Sequence, residues 1–328
     1  GVEAIAAVSV FFPIIFCLMA FVIGLSAGST VLVGQAWGAQ NVEKVRCIVG
    51  STLFMTLIGG SLIACLGVIF AEQILRLLGT DPKVMHLSLP YVQWMLAGSP
   101  LLFVYIIYTS ILRGVGDSLT PLIALSLTSV MGLVITPILI AGYFGFPRLG
   151  IIAPAIATIL GYLAVLIFLV IYLNKKNHPL KMDRHLLRQI RHQPNLSKVI
   201  LRLGIPTGLQ MVTTSMAGLV IVGLVNRHGA EATAAYGAVN QVLNYIQFPA
   251  LSIAIAASIF AAQAIGAGKA ELLAKVTRTA LGMNLLITGI LVTLGYLFSK
   301  YLMALFITDP AVVVLGQQLL FIVLWAIL

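Results

Sequence analysis

The sequence predicts an all-α integral membrane protein made of two parallel-repeat six-helix bundles, with about nine of twelve helices inside this chain. Three observations carry that reading: hydropathy, an internal repeat in fixed register, and the distribution of charge. Of the 328 residues, 60% are hydrophobic and 9% are charged, and the mean hydropathy is +1.10. Soluble domains carry about 25% charged residues, so this chain could not cover a water-facing surface. Apolar runs of about 18 residues or more read as transmembrane helices.

Nine such runs follow in order: 4–33, 47–71, 87–112, 119–144, 150–173, 199–225, 232–264, 277–298 and 312–328. Because the sequence opens on Gly1 with no charged leader, the first run is expected to be a mature span and not a signal peptide. Prolines such as Pro13, Pro100, Pro137, Pro154, Pro206 and Pro249 fall inside or near the ends of spans. Membrane helices tolerate proline where neighbouring helices or a cavity satisfy the freed carbonyls. Taken alone they are weak evidence for transport.

The repeat is the stronger signal. Gly1-x-Glu3-Ala4-x-Ala6-Ala7 recurs as Gly229-x-Glu231-Ala232-x-Ala234-Ala235, and Thr80-Asp81-Pro82 recurs as Thr308-Asp309-Pro310. Gln35-Ala36-Trp37-Gly38-Ala39 recurs as Gln263-Ala264-Ile265-Gly266-Ala267. Each pair is 228 residues apart (263 − 35, 309 − 81) without a gap. Six spans start within one period, and an even number returns the chain to its starting side. The repeats therefore share one orientation, with a symmetry axis along the membrane normal. Projection by the period leaves the first helix and the last two of the twelve-helix pattern outside this sequence.

Residues 1–173 form the first bundle, 174–198 a basic linker and 199–328 the second bundle. In the linker, Lys175, Lys176, Lys181, Arg184, Arg188, Arg191 and Lys198 oppose a single acid, Asp183. A nucleic-acid arm or a small soluble domain would carry such a run. A connecting loop explains it better: alternating the spans puts fourteen Lys and Arg on the linker side and five on the other. Positive charge gathers on the cytoplasmic side, so the linker is expected to be cytoplasmic, in a plasma membrane of bacterial inner-membrane type. No nucleic-acid partner is expected. Met182, Leu186, Leu187 and Ile190 at helical spacing suggest a short helix lying on the membrane surface.

Candidates for chemistry are few. All nine acids and all five histidines fall in loops or at the outermost turns of spans, so no ionisable group marks a mid-membrane site. There is no zinc-binding HExxH pair, no GxSxG elbow and no phosphate loop. Cys17, Cys47 and Cys65 form no CxxC pair; they read as small packing residues. No metal site, catalytic residue or cofactor is expected.

Amides inside a span are the next signal. Asn240, Asn244 and Gln247 follow i, i+4, i+7 and share one helix face, with Gln241, Tyr236 and Tyr245 close by. They either join helices or line a wet cleft. The repeat places Phe12, Phe16 and Met19 at the corresponding positions, which would give a cleft one amide-rich wall and one aromatic and thioether wall. That combination suits amphipathic, cationic organic compounds. Gln210, Thr213, Thr214 and Ser215 form a second polar patch, open to a local reading because Ser and Thr often bond their own helix carbonyls. In Arg113-Gly114-Val115-Gly116-Asp117-Ser118, a tight turn and a helix cap explain the residues more simply than a gate does.

The ordered motifs resemble the multidrug and toxic compound extrusion (MATE) family of cation-coupled efflux transporters. The resemblance rests on Gly34-Gln35-Ala36-Trp37-Gly38-Ala39 with its copy around Gln263 and Gly266. It also includes Leu112-Arg113-Gly114-x-Gly116-Asp117, Pro147-x-Leu149-Gly150 and Gly204-Ile205-Pro206. It covers the whole chain and implies a V-shaped cleft between two bundles, with a monomer exporting small molecules against sodium ions or protons. The chain departs from the family at Gly132 and Thr136, where Asn and Asp are common, and at Thr214, where some members carry Glu. No coupling carboxylate is therefore named. A lipid-precursor flippase of similar build is the alternative, though no intramembrane cluster of Arg or Lys supports it. A membrane-embedded enzyme and a channel are more remote.

Overall fold

The computed structural model describes residues 11–143, 148–191, 193–307 and 309–326, without the side chains of Phe12, Pro13 and Lys83. In chain order the α-helices are α1 (Phe11–Gly38), α2 (Val42–Ile69), α3 (Ala71–Leu77), α4 (Pro82–Ala97), α5 (Ser99–Gly114), α6 (Leu119–Ala141) and α7 (Ala153–Lys175). They continue as α8 (Arg184–Gln189), α9 (Pro194–Asn226), α10 (Ala230–Gly266), α11 (Leu272–Leu297), α12 (Ser299–Ala304) and α13 (Pro310–Trp325). No strand occurs among the described residues.

Among the described residues seven helices are long and apolar enough to cross a membrane, and α4 with α5 passes the same test as a pair bent by 43° at its break. Gly98 sits at that break and Pro100 follows in the first turn of α5, where a missing N–H costs no helix bond. Helix α13 is a shorter apolar helix of 16 residues. Each of the nine expected apolar runs falls on one of these helices or on the bent pair, and the protein is an all-α integral membrane protein.

The period of 228 residues is visible in the helix ends. Helices α1 and α10 end at Gly38 and Gly266, α2 and α11 at Ile69 and Leu297, and α4 and α13 begin at Pro82 and Pro310. The Gln35 and Gln263 motifs close their helices identically. The amide of Asn41 donates to Ala36 O and that of Gln40 to Trp37 O, while Lys269 donates to Ala264 O and Gly268 to Ile265 O. This is the Schellman C-terminus, which requires a left-handed residue. Gln40 holds φ 56° and Gly268 holds φ 71°. The cores repeat as well: a Cβ on Gly67 would lie 3.1 Å from Leu96, and one on Gly295 would lie 3.1 Å from Leu324.

Two compact units divide the chain, Gly1–Val212 and Thr213–Leu328, so the boundary falls inside α9. The core of the first is built on Phe103, Tyr108, Ile48, Leu53 and Leu169, all under 2% exposed. That of the second surrounds Val239, Val242, Ile246, Leu320 and Leu324.

Candidate functional site

Helix α10 carries the candidate amides on a continuous helix. Ala235, Val239, Val242 and Ile246 face the core of the second unit. At about 100° per residue, Asn240, Asn244 and Gln247 fall within roughly 60° of one another, opposite that stripe. Asn244 and Gln247 are exposed and Asn240 is half-buried. Tyr245 is 59% exposed. Gln241 lies off to one side, in an open cavity shared with Glu231 and Asp309 at the start of α10 and α13.

On α1, Phe16 is 50% exposed, whereas Met19 packs against the core of the first unit. The side chain of Phe12 lies outside the described residues. Gln210 and Thr214 are both exposed on α9, Gln210 within the first unit and Thr214 within the second. Gly132 has no atom within 4 Å of a Cβ built on it.

Sequence reasoning missed the seat of α9 within the first unit. Gly24 and Gly28 on α1 meet Gly204, Gly208 and Ile200 on α9. A Cβ on Gly24 would lie 2.7 Å from Gly204 O, one on Gly28 2.5 Å from Ile200 O, and one on Gly208 3.1 Å from Ala20 O. A Cβ on Gly204 would run into the backbone of Gly24 and Leu25. Two helices each bearing glycines four residues apart let their backbones touch, and that spacing was the available signal. Hydroxyls extend the seam: Ser51 Oγ lies 3.3 Å from Ser197 Oγ, and Thr52 Oγ1 donates to Ser29 Oγ at 3.0 Å. Such interhelical bonds are worth about 0.6 kcal/mol each in a membrane.

An apolar groove of about 350 Å³ in the second unit, between α10 and α11, is the repeat counterpart of that seat. Ala256, Lys275 and Thr279 line it, one period from Gly28, Cys47 and Ser51. In the first unit those three meet Ile200, Gln189 and Ser197. The groove's lining offers little beyond Lys275 and Thr279 to orient a polar ligand.

Where α2 and α9 begin and α5 ends, the linker is strapped to the first unit. Arg46 is the hub. Its Nε donates to Pro179 O at 3.1 Å, and its Nη2 lies 3.6 Å from Asp183 Oδ2. The hydroxyl of Tyr108 donates to Leu180 O, and Leu180 and Leu186 are fully buried. The apolar residues expected to lie on the membrane thus divide. Leu186, Met182 and Ile190 pack on the helix bundle, because a six-residue helix pinned through Asp183 and Leu180 turns that side inward. Leu187 alone of the four points out, at 54% exposure.

The Arg113–Asp117 motif feeds the same region. Gly116 takes φ 91°, and Asp117 caps α6 by accepting from the Thr120 amide at 3.0 Å and its hydroxyl at 2.6 Å. Arg113 donates to Ser110 Oγ at 2.7 Å. Asp117 also lies 3.7 Å from His178 Nε2 of the strap. Burial raises the pKa of Asp117, but Thr120, Lys176 and His178 outweigh it and hold the carboxyl below its usual value. Burial lowers His178, Asp117 partly opposing and Lys176 reinforcing it. The Leu180 amide donates to His178 Nδ1 at 3.2 Å, which places the ring proton on Nε2 toward Asp117. Asp183 is held low chiefly by the Leu186 amide it accepts from, burial opposing and Arg46, Lys181 and His185 assisting. The motif is a corner and a fastening.

Among the described residues no group of three or more His, Cys, Asp or Glu could hold a metal ion. The chain is 43% identical over 328 residues to the probable multidrug resistance protein YoeA of Bacillus subtilis, covering all of this chain and 71% of that protein. It is 29% identical to the FAD transporter of Shewanella oneidensis, covering 95% of this chain and 68% of that one. A crystal structure of MATE in the bent conformation superposes with a TM-score of 0.86 at 25% identity, covering 98% of this chain and 70% of that one. The MatE family model matches residues 1–138 and 206–328, and the chain belongs to that family, the multidrug and toxic compound extrusion transporters; it is a transporter and not an enzyme.

Proposed function

We propose that the protein is a secondary antiporter that exports amphipathic, cationic organic compounds in exchange for sodium ions or protons. Alternating access between two bundles supplies the mechanism: ion and substrate compete for one outward/inward equilibrium. The linker 174–198 lies on the cytoplasmic side of a bacterial inner membrane, and the protein works as a monomer. One observation carries the substrate class. Asn240, Asn244 and Gln247 turn away from the core of their own unit, on a long and mainly apolar helix. Amides are costly in lipid and rewarding in a wet cleft. With Tyr245 exposed on the same helix, they orient an amphipathic cation through hydrogen bonds and cation–π contact. The name of the Bacillus relative supports drug export; that of the Shewanella relative makes the charge of the substrate the point to test.

The test is efflux of ethidium from proteoliposomes of the full-length protein under an imposed sodium or proton gradient, with FAD as competitor. Gradient-driven ethidium efflux is expected, with Kd for ethidium rising at least tenfold when Asn240, Asn244 and Gln247 are together replaced by Leu. Gradient-independent movement sinks the antiporter reading. Unchanged affinity in the folded triple variant sinks the site, and competition by FAD with no ethidium efflux sinks the cationic class.

A further inference from the structure

The outward face of the strap has a use that its fastening does not explain. Between Lys176 and Gln193 the chain passes from one apolar span to the next, so the strap lies at one end of those spans. Its apolar side is spent on protein through Leu180 and Leu186. Its one acid is spent too, since Asp183 caps α8 by accepting from the Leu186 amide at 2.8 Å and pairs with Arg46. What remains outside is cationic. Lys175, Lys176, Arg184, Arg188, Arg191 and Lys198 are all exposed, and none of them has a carboxylate within 4.0 Å among the described residues. Lys176 lies 5.8 Å from the ring centroid of Tyr172, a cation–π contact that leaves its charge in place. Leu187 is exposed on the same short helix as Arg184 and Arg188, with Arg191 just past its end.

We infer that this face docks anionic phospholipid headgroups of the adjoining leaflet. The guanidinium fork matches the phosphate oxygens of a headgroup bidentately, and Leu187 dips among the acyl chains below it. Clusters of four to eight basic residues beside a transmembrane helix recognise anionic lipid in this way. Each cation removed weakens the association roughly fivefold. Neighbouring titratable groups do not oppose it: Asp117 is taken by Thr120 and His178, and His185 lies 3.4 Å from Arg46. The inference is independent of what the protein carries, because the readout involves no transport.

Full-length protein carrying Leu187→Trp is reconstituted into phosphatidylcholine vesicles containing brominated phosphatidylglycerol or, separately, brominated phosphatidylcholine. The quenching of residue 187 is taken as the difference from the parent protein. Stronger quenching by the anionic lipid is expected, falling to the level of phosphatidylcholine as salt is raised. In the same background, Arg184→Gln with Arg188→Gln and Arg191→Gln abolishes the preference, whereas the corresponding three Arg→Lys changes, which keep the charge but lose the fork, leave it reduced but present, which separates charge from misfolding. Equal quenching by the two lipids overturns the inference. So does a preference that soluble tripolyphosphate removes at matched ionic strength, since the face would then be a site for free phosphate.

Discussion

The α1–α9 crossing yields a graded test, because a single Cβ is added at four places with different clearance. Carbon and carbonyl oxygen settle at about 3.3 Å. Gly28→Ala would put its methyl 2.5 Å from Ile200 O and Gly24→Ala 2.7 Å from Gly204 O, while Gly208→Ala lies 3.1 Å from Ala20 O. The helices must therefore part by about 0.8, 0.6 and 0.2 Å respectively. Gly204→Ala is at least as tight as Gly28→Ala. The obstacle in each case is backbone, which cannot swing aside as a side chain can. Overpacking of this kind costs about 1–3 kcal/mol, and Ala in place of Gly inside a helix returns about 0.8–1.0 kcal/mol. The sum changes sign along the series. Gly24→Ala, Gly28→Ala and Gly204→Ala should lose about 1–2 kcal/mol, whereas Gly208→Ala should be neutral or gain a few tenths. Gly24→Ala with Gly204→Ala should cost less than the two singles added, since one separation accommodates both methyls. Thermal unfolding of the full-length protein in detergent, followed by size-exclusion fluorescence, orders the variants. If Gly208→Ala falls in stability as far as Gly28→Ala, backbone contact is not what seats α9.

Other consequences follow from the strap and the repeat. Arg46→Ala removes the hydrogen bond to Pro179 O and the pairing with Asp183; bonds of this charged kind are worth about 1.5–3 kcal/mol. Faster amide exchange over residues 178–190 is expected, with α11 unaffected. His178 is held below its reference value of 6.5, so its contribution is full above pH 6.5 and is lost as pH falls through the folded value. Protonation also removes the acceptor of the Leu180 amide. Unfolding temperature should thus decline from pH 7 to pH 5, and His178→Gln should flatten that slope; an equal slope in both proteins would refute it. Asp117, held below 3.8, adds a second loss only at more acid pH. Gln40 occupies a left-handed position where its counterpart is Gly268. Gln40→Gly should stabilise by about 1 kcal/mol and Gly268→Gln should destabilise by at least as much, read as opposite shifts in unfolding temperature.

Much of this protein was legible in its sequence because membrane solvation and chain periodicity are local properties. Hydrocarbon cannot satisfy a backbone amide, so apolar runs had to become helices, and nine segments stand where nine were expected. A repeat in fixed register obliged the second copy to end its helices as the first does, down to the Schellman bonds of Gln40 and Gly268. The i, i+4, i+7 spacing put Asn240, Asn244 and Gln247 on one face by helix geometry alone.

Only tertiary structure decided which side of a helix meets protein. Periodicity gave Met182, Leu186, Leu187 and Ile190 one common face; the buried Leu180, the Arg46 hub and the Tyr108 hydroxyl turned three of them into the bundle and left Leu187 outside. Met19, paired by repeat with Gln247, packs on its own core because the first unit supplies neighbours that the period cannot report. Glycine spacing alone does not say which helix approaches. The bare meeting of Gly24 with Gly204 arises from two segments 180 residues apart (204 − 24), and contact at that separation is settled by packing, not by local sequence.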